Sequence, residues 1–180
     1  VIAYLKLILN PHDNVSLTRV INTPARGIGA ATLEKIEATA RLNRVSNWEA
    51  IELLTDTENS RAASALNKFR AMIEKLRAAA DDLKIAELIK CLLQETRYID
   101  MLREEHTEEA ESRIFNLEEL VSAAAEADEQ EESLMDFLDH AALVSDTDSY
   151  QSDIKVRLMT IQSAKGLQFP VDFLVGMEQG

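Results

Sequence analysis

The sequence has few of the residues that cross-link or interrupt a fold. Its 180 residues include one cysteine, five glycines, three prolines and 5% aromatic residues. The lone Cys91 excludes an internal disulfide framework and a cysteine-rich zinc site, and its apolar neighbours favour a buried core thiol. No apolar run approaches the roughly 20 residues that cross a bilayer, and no signal peptide opens the chain. We therefore expect no membrane segment and a reducing, cytoplasmic setting.

The sequence also lacks the arrangements on which catalysis depends. Its three histidines, His12, His106 and His140, are scattered, without partners at metal-ligand spacing. The phosphate-loop pattern GxxxxGK(S/T) is absent, so we expect the chain alone neither to bind nor to hydrolyse ATP. The acidic run 128–132 has oxygens for a cation, although a solvated loop is the usual role of such a run. We predict no catalytic residue, metal site or cofactor in this chain.

Charge is spread unevenly along the chain. The formal net charge of −13 argues, taken alone, against a nucleic-acid binder, because phosphate contacts need lysine and arginine. Residues 15–47 nevertheless hold five basic residues against two acidic ones, a local charge of +3, whereas residues 100–149 hold only Arg103 and Arg113 amid many carboxylates. The basic stretch permits contact with DNA, and it also fits an ordinary solvated surface.

Abundant alanine, leucine, glutamate and isoleucine, with no glycine between Gly29 and Gly166, predict a mainly α protein. Residue 60 onward shows the clearest amphipathic pattern, with apolar residues at spacings of three and four. Capping preferences place helix starts at Asn14 or Ser16, at Asn47, and at Asn116 with Glu119 in a capping box. The predicted helices run to about residue 9 and then over about 16–21, 30–44, 47–54, 60–80, 84–102, 116–124 and 132–143.

The last part of the chain has a different pattern. Residues 145–153 are polar and predict a linker, while 156–161 and 171–175 are β-branched, apolar and short, which predicts two strands around a turn at 163–167. Two strands alone do not make a stable sheet. We expect this tail to belong to a larger α/β domain, and the missing initiator methionine likewise predicts a segment of a longer protein.

A Gly-Ile-Gly turn between two predicted helices is the first candidate for binding. Gly27 and Gly29 let the backbone adopt φ > 0 and approach a ligand closely, and amides of the turn and of the next helix would point at one phosphate. Arg26 would add a charge, and Ile28 would anchor the turn in the core. This layout is that of a helix-hairpin-helix, which positions a duplex without reading its sequence. A plain glycine turn between helices also fits the pattern.

Two segments resemble parts of the UvrD/PcrA/Rep branch of superfamily 1 DNA helicases. Residues 158–170, followed by 173–180, are similar to helicase motif V of that family, and residues 21–35 resemble the glycine-hairpin motif of its 2B subdomain. Residues 98–102 and 112–120 are similar to the family as well. The resemblance covers nearly the whole chain in the expected order.

This resemblance implies a division of the chain and a set of site residues. Residues 1–10 would be a flanking helix of domain 2A, 11–150 a helical 2B subdomain containing the helix-hairpin-helix-like element, and 151–180 a two-strand fragment of the RecA-like domain 2A that carries motif V. The implied DNA-binding residues are Arg26, Gly27, Ile28, Gly29 and Thr32 at the duplex, and Thr160 and Gln162 at the single strand. The implied nucleotide-coupling residues of motif V are Lys165, Gly166 and Gln168.

Two motif V positions depart from the family pattern. Gln162 stands where the family usually has histidine, and Gln168 stands where it usually has glutamate. Gln162 can still donate a hydrogen bond, whereas Gln168 has lost the charge. The departures imply either altered coupling or weakened activity in the parent protein.

The resemblance implies an accessory part of an ATP-dependent 3′–5′ DNA helicase in DNA repair or replication. ATP and Mg²⁺ would bind elsewhere in the parent, and the fragment alone would be inactive. The expected partners are duplex and single-stranded DNA, helicase domains 1A and 2A, and, as candidates, repair proteins. Two alternatives remain open: a protein-docking module that uses the acidic surface of residues 100–149, and an unrelated helical bundle.

Overall fold

A computed structural model of the chain describes residues 1–57, 60–147 and 173. The predicted mainly α class is confirmed, because these residues form helices and include no strand. None of the helices in this part of the chain is long and apolar enough to cross a bilayer. The helices are α1 (Ile2–Leu9), α2 (Asn14–Val20), α3 (Ala30–Asn43), α4 (Asn47–Thr57), α5 (Arg61–Ala80), α6 (Ile85–Thr96), α7 (Tyr98–Glu105), α8 (Glu108–Glu129) and α9 (Leu134–Thr147).

The predicted strands 156–161 and 171–175 lie, apart from Phe173, outside the described residues. Contacts between residues divide the chain into two units, Val1–Val144 and Ser145–Gly180. The helical core belongs to the first unit. The predicted division at residues 10 and 150 stays a prediction.

Helix α5 is the central element of the first unit. It packs against α1, α4 and α6, and its buried side chains Leu66, Phe69, Ile73 and Leu76 follow the three- and four-residue spacing that the sequence predicts. Ser60 begins the helix, since its Oγ accepts a hydrogen bond from the Ala63 amide at 3.1 Å. The α5 prediction is therefore confirmed, and this helix forms the floor under the turn between α2 and α3.

The predicted caps of α2 and α4 are wrong. Asp13, rather than Asn14 or Ser16, caps α2, because its Oδ1 accepts from the Val15 and Ser16 amides at 3.0 and 3.1 Å. Asn14 is already helical, and its side-chain oxygen accepts from the amide of Asn47 at 2.9 Å. Asn47 is itself the first residue of α4. Asn14 therefore ties the start of α4 to α2.

Helix α4 is capped by the residue before Asn47. Ser46 Oγ accepts from the Glu49 amide at 3.3 Å, and the Glu49 carboxylate accepts from the Ser46 amide at 2.9 Å. This reciprocal pair is a capping box. The Ser46 hydroxyl accepts from the amide three residues ahead, so Ser46 is the N-cap and Asn47 is the first helical residue.

The predicted helix over 84–102 is broken at Arg97. Its left-handed conformation, with φ of 56°, ends α6 and begins α7. The predicted start at Asn116 is also wrong, because Asn116 lies inside α8. Thr107 caps that helix by accepting from the Ala110 amide at 3.1 Å, and carboxylates at 108, 109 and 111 favour the helix start electrostatically.

Two further predictions need correction. Cys91 is half-buried rather than buried, and it packs against the core from its edge. Residues 145–147, predicted as the start of a linker, belong to α9.

Candidate nucleic-acid interface

The turn between α2 and α3 has one buried and two exposed residues at its centre. Ile28 is only 1% exposed and packs into the core, as predicted, whereas Gly27 and Gly29 are exposed. Gly27 has φ of +76° and therefore needs glycine. Gly29 has φ of −86° and ψ of 178°, an ordinary extended conformation, so the prediction that both glycines serve positive φ holds only for Gly27.

Asn22 holds the turn in shape, and sequence reasoning missed it. Its side-chain oxygen accepts from the Arg26 amide at 2.7 Å and from the Ile28 amide at 3.2 Å. Asparagine side chains commonly bond to the backbone a few residues ahead in turns. The position of Asn22 just before a loop with proline and glycine could have indicated this role.

Arg26 supports the turn from below. Its Nη1 donates to the carbonyl oxygens of Val20 at 3.1 Å and Pro24 at 3.0 Å, and its Nη2 donates to the Tyr4 hydroxyl at 2.6 Å. The guanidinium also lies over the Phe69 ring, 5.5 Å from its centroid. The structure therefore engages Arg26 with main-chain acceptors and aromatic rings beneath the turn, and Arg26 also lines a cleft beside Gly27.

Tyr4 completes this support. Its hydroxyl hydrogen has two carbonyl acceptors within reach, Thr23 at 2.5 Å and Val20 at 3.1 Å, while its oxygen accepts from Arg26. Burial raises the pKa of the Tyr4 phenol above its usual value, although the charge of Arg26 opposes that shift. The phenol thus stays protonated and able to donate throughout the neutral range.

The outer face of the turn presents several amides that make no hydrogen bond in the part of the chain that the structure describes. Among the described residues, nothing accepts from the amides of Gly27, Gly29, Ala30 or Ala31, while the Thr32 amide is bonded to the Gly29 carbonyl at 3.0 Å. A Cβ built on either glycine would meet no atom within 4 Å. These amides lie at an open surface at the positive end of the α3 dipole, which is a favourable place for an anion.

Gly27 also lies at the edge of a cleft. Its opposite wall is the first half of α5, with the exposed side chains of Arg61, Ser64 and Lys68. Phe69 and Met72 line its floor, and Glu95 of α6 lies at its border. The order of the chain gave no indication that α5 would face the turn.

The basic N-terminal stretch forms a second surface as well. Arg19 of α2 and Arg41 and Arg44 at the end of α3 line one groove, and all three are exposed. Glu37 is the one carboxylate among the residues that line it. Four of the five basic residues of this stretch are thus placed, three in this groove and Arg26 beneath the glycine turn.

The acidic run 128–132 has a structural role at Asp128. The two carboxylate oxygens of Asp128 accept from the amides of Ile85 and Ala86 at 2.8 and 3.0 Å, so this side chain caps α6 from α8. No group of histidine, cysteine and acidic side chains that could hold a metal ion occurs within residues 1–57 and 60–147.

The predicted site residues fall into two sets. The structure brings Arg26, Gly27, Ile28, Gly29 and Thr32 together around the start of α3, with Thr32 half-buried in its first turn. The motif V residues lie outside the described part of the chain, and their roles stay predictions: Thr160, Gln162, Lys165, Gly166 and Gln168.

Comparison with known proteins supplies the family context. Residues 1–180 match the family described as the UvrD-like helicase C-terminal domain. The chain is 40% identical over 190 residues to the ATP-dependent DNA helicase PcrA of Bacillus subtilis (strain 168), covering 100% of this chain and 26% of that protein. It is 38% identical to the protein of the same name from Leuconostoc citreum, with 100% and 26% covered. The chain thus spans about a quarter of the length of these curated relatives.

Proposed function

Because the chain belongs to the UvrD-like helicase C-terminal domain family, we propose that it is the DNA-contacting accessory part of an ATP-dependent DNA helicase. In this proposal residues 11–150 correspond to the 2B subdomain, and 1–10 and 151–180 are pieces of domain 2A. The helicase would move 3′ to 5′ and act in repair or replication. Relatives that bear the name ATP-dependent DNA helicase support the class of activity.

One observation in this chain carries the DNA-binding part of the proposal. Gly27, Gly29, Ala30 and Ala31 are exposed, and within residues 1–57 and 60–147 nothing accepts from their amides. A phosphodiester oxygen is an anionic acceptor that such amides bind well, and contact through amides is independent of base sequence. The turn would therefore hold the duplex backbone as a helix-hairpin-helix does, while Arg26 and Ile28 keep it in shape.

The remaining steps of the parent helicase involve residues or domains other than this turn. We propose that Thr160 and Gln162 contact the single strand and that Lys165, Gly166 and Gln168 couple this contact to the nucleotide. ATP and Mg²⁺ would bind in the RecA-like domains 1A and 2A. The described residues would position the duplex and regulate the motor by their placement against those domains.

Gly29→Asp is a direct test of the amide surface. Gly29 caps α3 in an extended conformation with open space around it, and aspartate is a favoured N-cap. The variant should therefore fold at least as stably as the wild type, yet its carboxylate would occupy the amides and repel a phosphate. We expect at least a tenfold loss of affinity for a DNA duplex at low salt, measured by fluorescence anisotropy.

Gly29→Ser is the matched control, since serine also caps a helix but carries no charge. Its hydroxyl would accept from the same amides without repelling a phosphate, so we expect a loss of affinity of about two- to threefold, well below that of Gly29→Asp. Gly27→Glu is a less clean variant, because the φ of +76° strains any side chain there. Equal affinity for Gly29→Asp and wild type, or no duplex binding by the wild type at low salt, would contradict the proposal.

A second candidate function is protein docking by the acidic helices. Phe115 on α8 is 59% exposed and Met135 on α9 is 61% exposed, which is unusual for large apolar side chains on carboxylate-rich helices. Such residues commonly anchor protein interfaces. If this surface recruits repair proteins, Phe115→Ala should abolish capture of a purified repair partner and leave duplex affinity unchanged. Unchanged capture would exclude this surface.

A further inference from the structure

We propose that α5 is the second wall of the duplex site, with Arg61 and Lys68 binding backbone phosphates across the cleft from Gly27. The inference rests on the proposed function, because it assumes that the glycine turn contacts a duplex. It adds two binding residues that no sequence motif marks and that lie more than thirty positions from the turn.

The basic residues of α5 divide into two groups by what they contact. Arg70 forms ion pairs with Glu52 at 2.8 Å and Glu74 at 3.1 Å, Lys75 pairs with Glu95 at 2.8 Å, and Arg77 donates to the Ile8 carbonyl at 3.1 Å. These three side chains join α5 to its neighbours.

Arg61 and Lys68 behave differently. Both are exposed, and neither forms an ion pair or side-chain hydrogen bond with any residue in 1–57 or 60–147. They are also the two basic residues of α5 that line the cleft with Gly27. The cations that α5 does not use for folding are therefore those that face the glycine turn.

The spacing of these side chains suits a sugar-phosphate backbone. Arg61, Ser64 and Lys68 are three and four residues apart and share one helix face. Arg61 and Lys68 lie roughly 10 Å apart along the helix axis, given a rise of 1.5 Å per residue, so they reach phosphates of different nucleotides. The cleft volume of about 930 Å³ far exceeds the ~30 Å³ share of one water molecule, which leaves room for a backbone segment.

The remaining lining favours a duplex over an unpaired strand. Single-strand sites commonly offer exposed aromatic rings on which bases stack, whereas the ring in this cleft, Phe69, is only 1% exposed. Glu95 is the carboxylate at the border, and Lys75 compensates its charge through the 2.8 Å ion pair, which also raises the pKa of Lys75. The cleft therefore offers cations and amides to phosphates and no platform for bases.

The salt dependence of duplex binding tests this inference. Each phosphate contact contributes about 0.9 to the slope of log affinity against log salt concentration. Arg61→Gln and Lys68→Gln should each reduce the magnitude of this negative slope by about 0.9, and the double variant should reduce it by about 1.8. Lys90→Gln on α6 is the control, since Lys90 is exposed, is outside the cleft and loses the same charge. Its slope should equal that of the wild type.

The outcomes separate this inference from the proposed function. If the wild type binds duplex and Gly29→Asp weakens it, but the double variant keeps the wild-type slope, the α5 wall is wrong and the turn stands. A slope change in Lys90→Gln equal to that in Lys68→Gln would show diffuse charge and also overturn the inference. Tighter binding of single-stranded DNA than of duplex would overturn the assignment of the cleft to a duplex. Absence of wild-type binding would remove the proposed function and this inference together.

Discussion

The two ends of the described lobe are packed by different kinds of side chain. Around the glycine turn, α1 to α6 bury large residues such as Tyr4, Phe69 and Ile73 almost completely. Helix α8, although it has 22 residues, fully buries only Ala110, Ala124 and Ala127, and its larger apolar residues at 117, 120 and 121 are half-buried against the core. Burial of large side chains fixes a backbone more firmly than contact through alanine, because it removes more apolar area from water. The candidate DNA site therefore lies on the tightly packed end.

The largest expected difference in stability is between two phenylalanine-to-alanine variants, one at each end. Phe69 is 1% exposed and Phe115 is 59% exposed. Phe69→Ala should lower the free energy of unfolding by about 3–5 kcal/mol, through lost apolar burial and a cavity. Phe115→Ala should change it by less than about 0.5 kcal/mol. Urea unfolding of the two variants measures the contrast, and similar losses would show that α8 packs more firmly than its burial indicates.

Two arginines around the cleft give the next contrast. Arg26→Ala leaves main-chain carbonyls and the Tyr4 hydroxyl without a charged donor, and we expect a loss of about 2–3 kcal/mol in the free energy of unfolding. Arg61→Ala, which breaks no hydrogen bond or ion pair among the described residues, should stay within about 0.5 kcal/mol. Thermal unfolding distinguishes them. A stable Arg26→Ala variant that binds duplex poorly would instead make Arg26 a direct DNA ligand.

The smallest expected effect is the pH dependence of helix capping, in which a carboxylate cap is compared with a hydroxyl cap. The hydrogen bond from the Ser16 hydroxyl, with those from the backbone amides, holds the pKa of Asp13 below its usual value. Asp13→Ala should cost about 1 kcal/mol at pH 7. A lowered folded pKa gives stability that is present above the unfolded pKa near 3.9 and is lost as pH falls through the folded pKa.

The cost of Asp13→Ala should therefore shrink in acid, below about pH 4. Thr107→Ala removes the cap of α8 and should cost a similar amount at every pH, because the hydroxyl does not titrate there. Unfolding of both variants at pH 7 and pH 3 checks this difference. A pH-independent cost for Asp13→Ala would show that its charge does not contribute to the cap.

Periodicity and local signals predicted those elements that local forces determine. The apolar spacing of α5 gave its extent, and the buried Ile28 between two glycines gave the position of the turn. The break at Arg97 could not be predicted in this way, since a non-glycine residue with φ of 56° carries no local signal.

The role of Arg26 was hidden from the sequence for a different reason. Its partners Tyr4 and Phe69 are 22 and 43 positions away, so only the packing of α1 and α5 shows that this cation supports the turn. The packing of α5 also places Arg61 and Lys68 in the same cleft as Gly27, which the sequence alone could not show. The sequence alone thus located the amide surface but not the side chains around it.

The Asn22 side chain has a consequence for how quickly the duplex could be held and released. Because it already fixes the Arg26 and Ile28 amides, a phosphate bound as proposed would meet an ordered turn. The entropy cost of ordering the backbone, roughly 1–2 kcal/mol per residue, is already part of folding. Preordered contacts of this kind bind without rearrangement. If the proposed contact holds, the turn would bind and release a backbone phosphate without refolding.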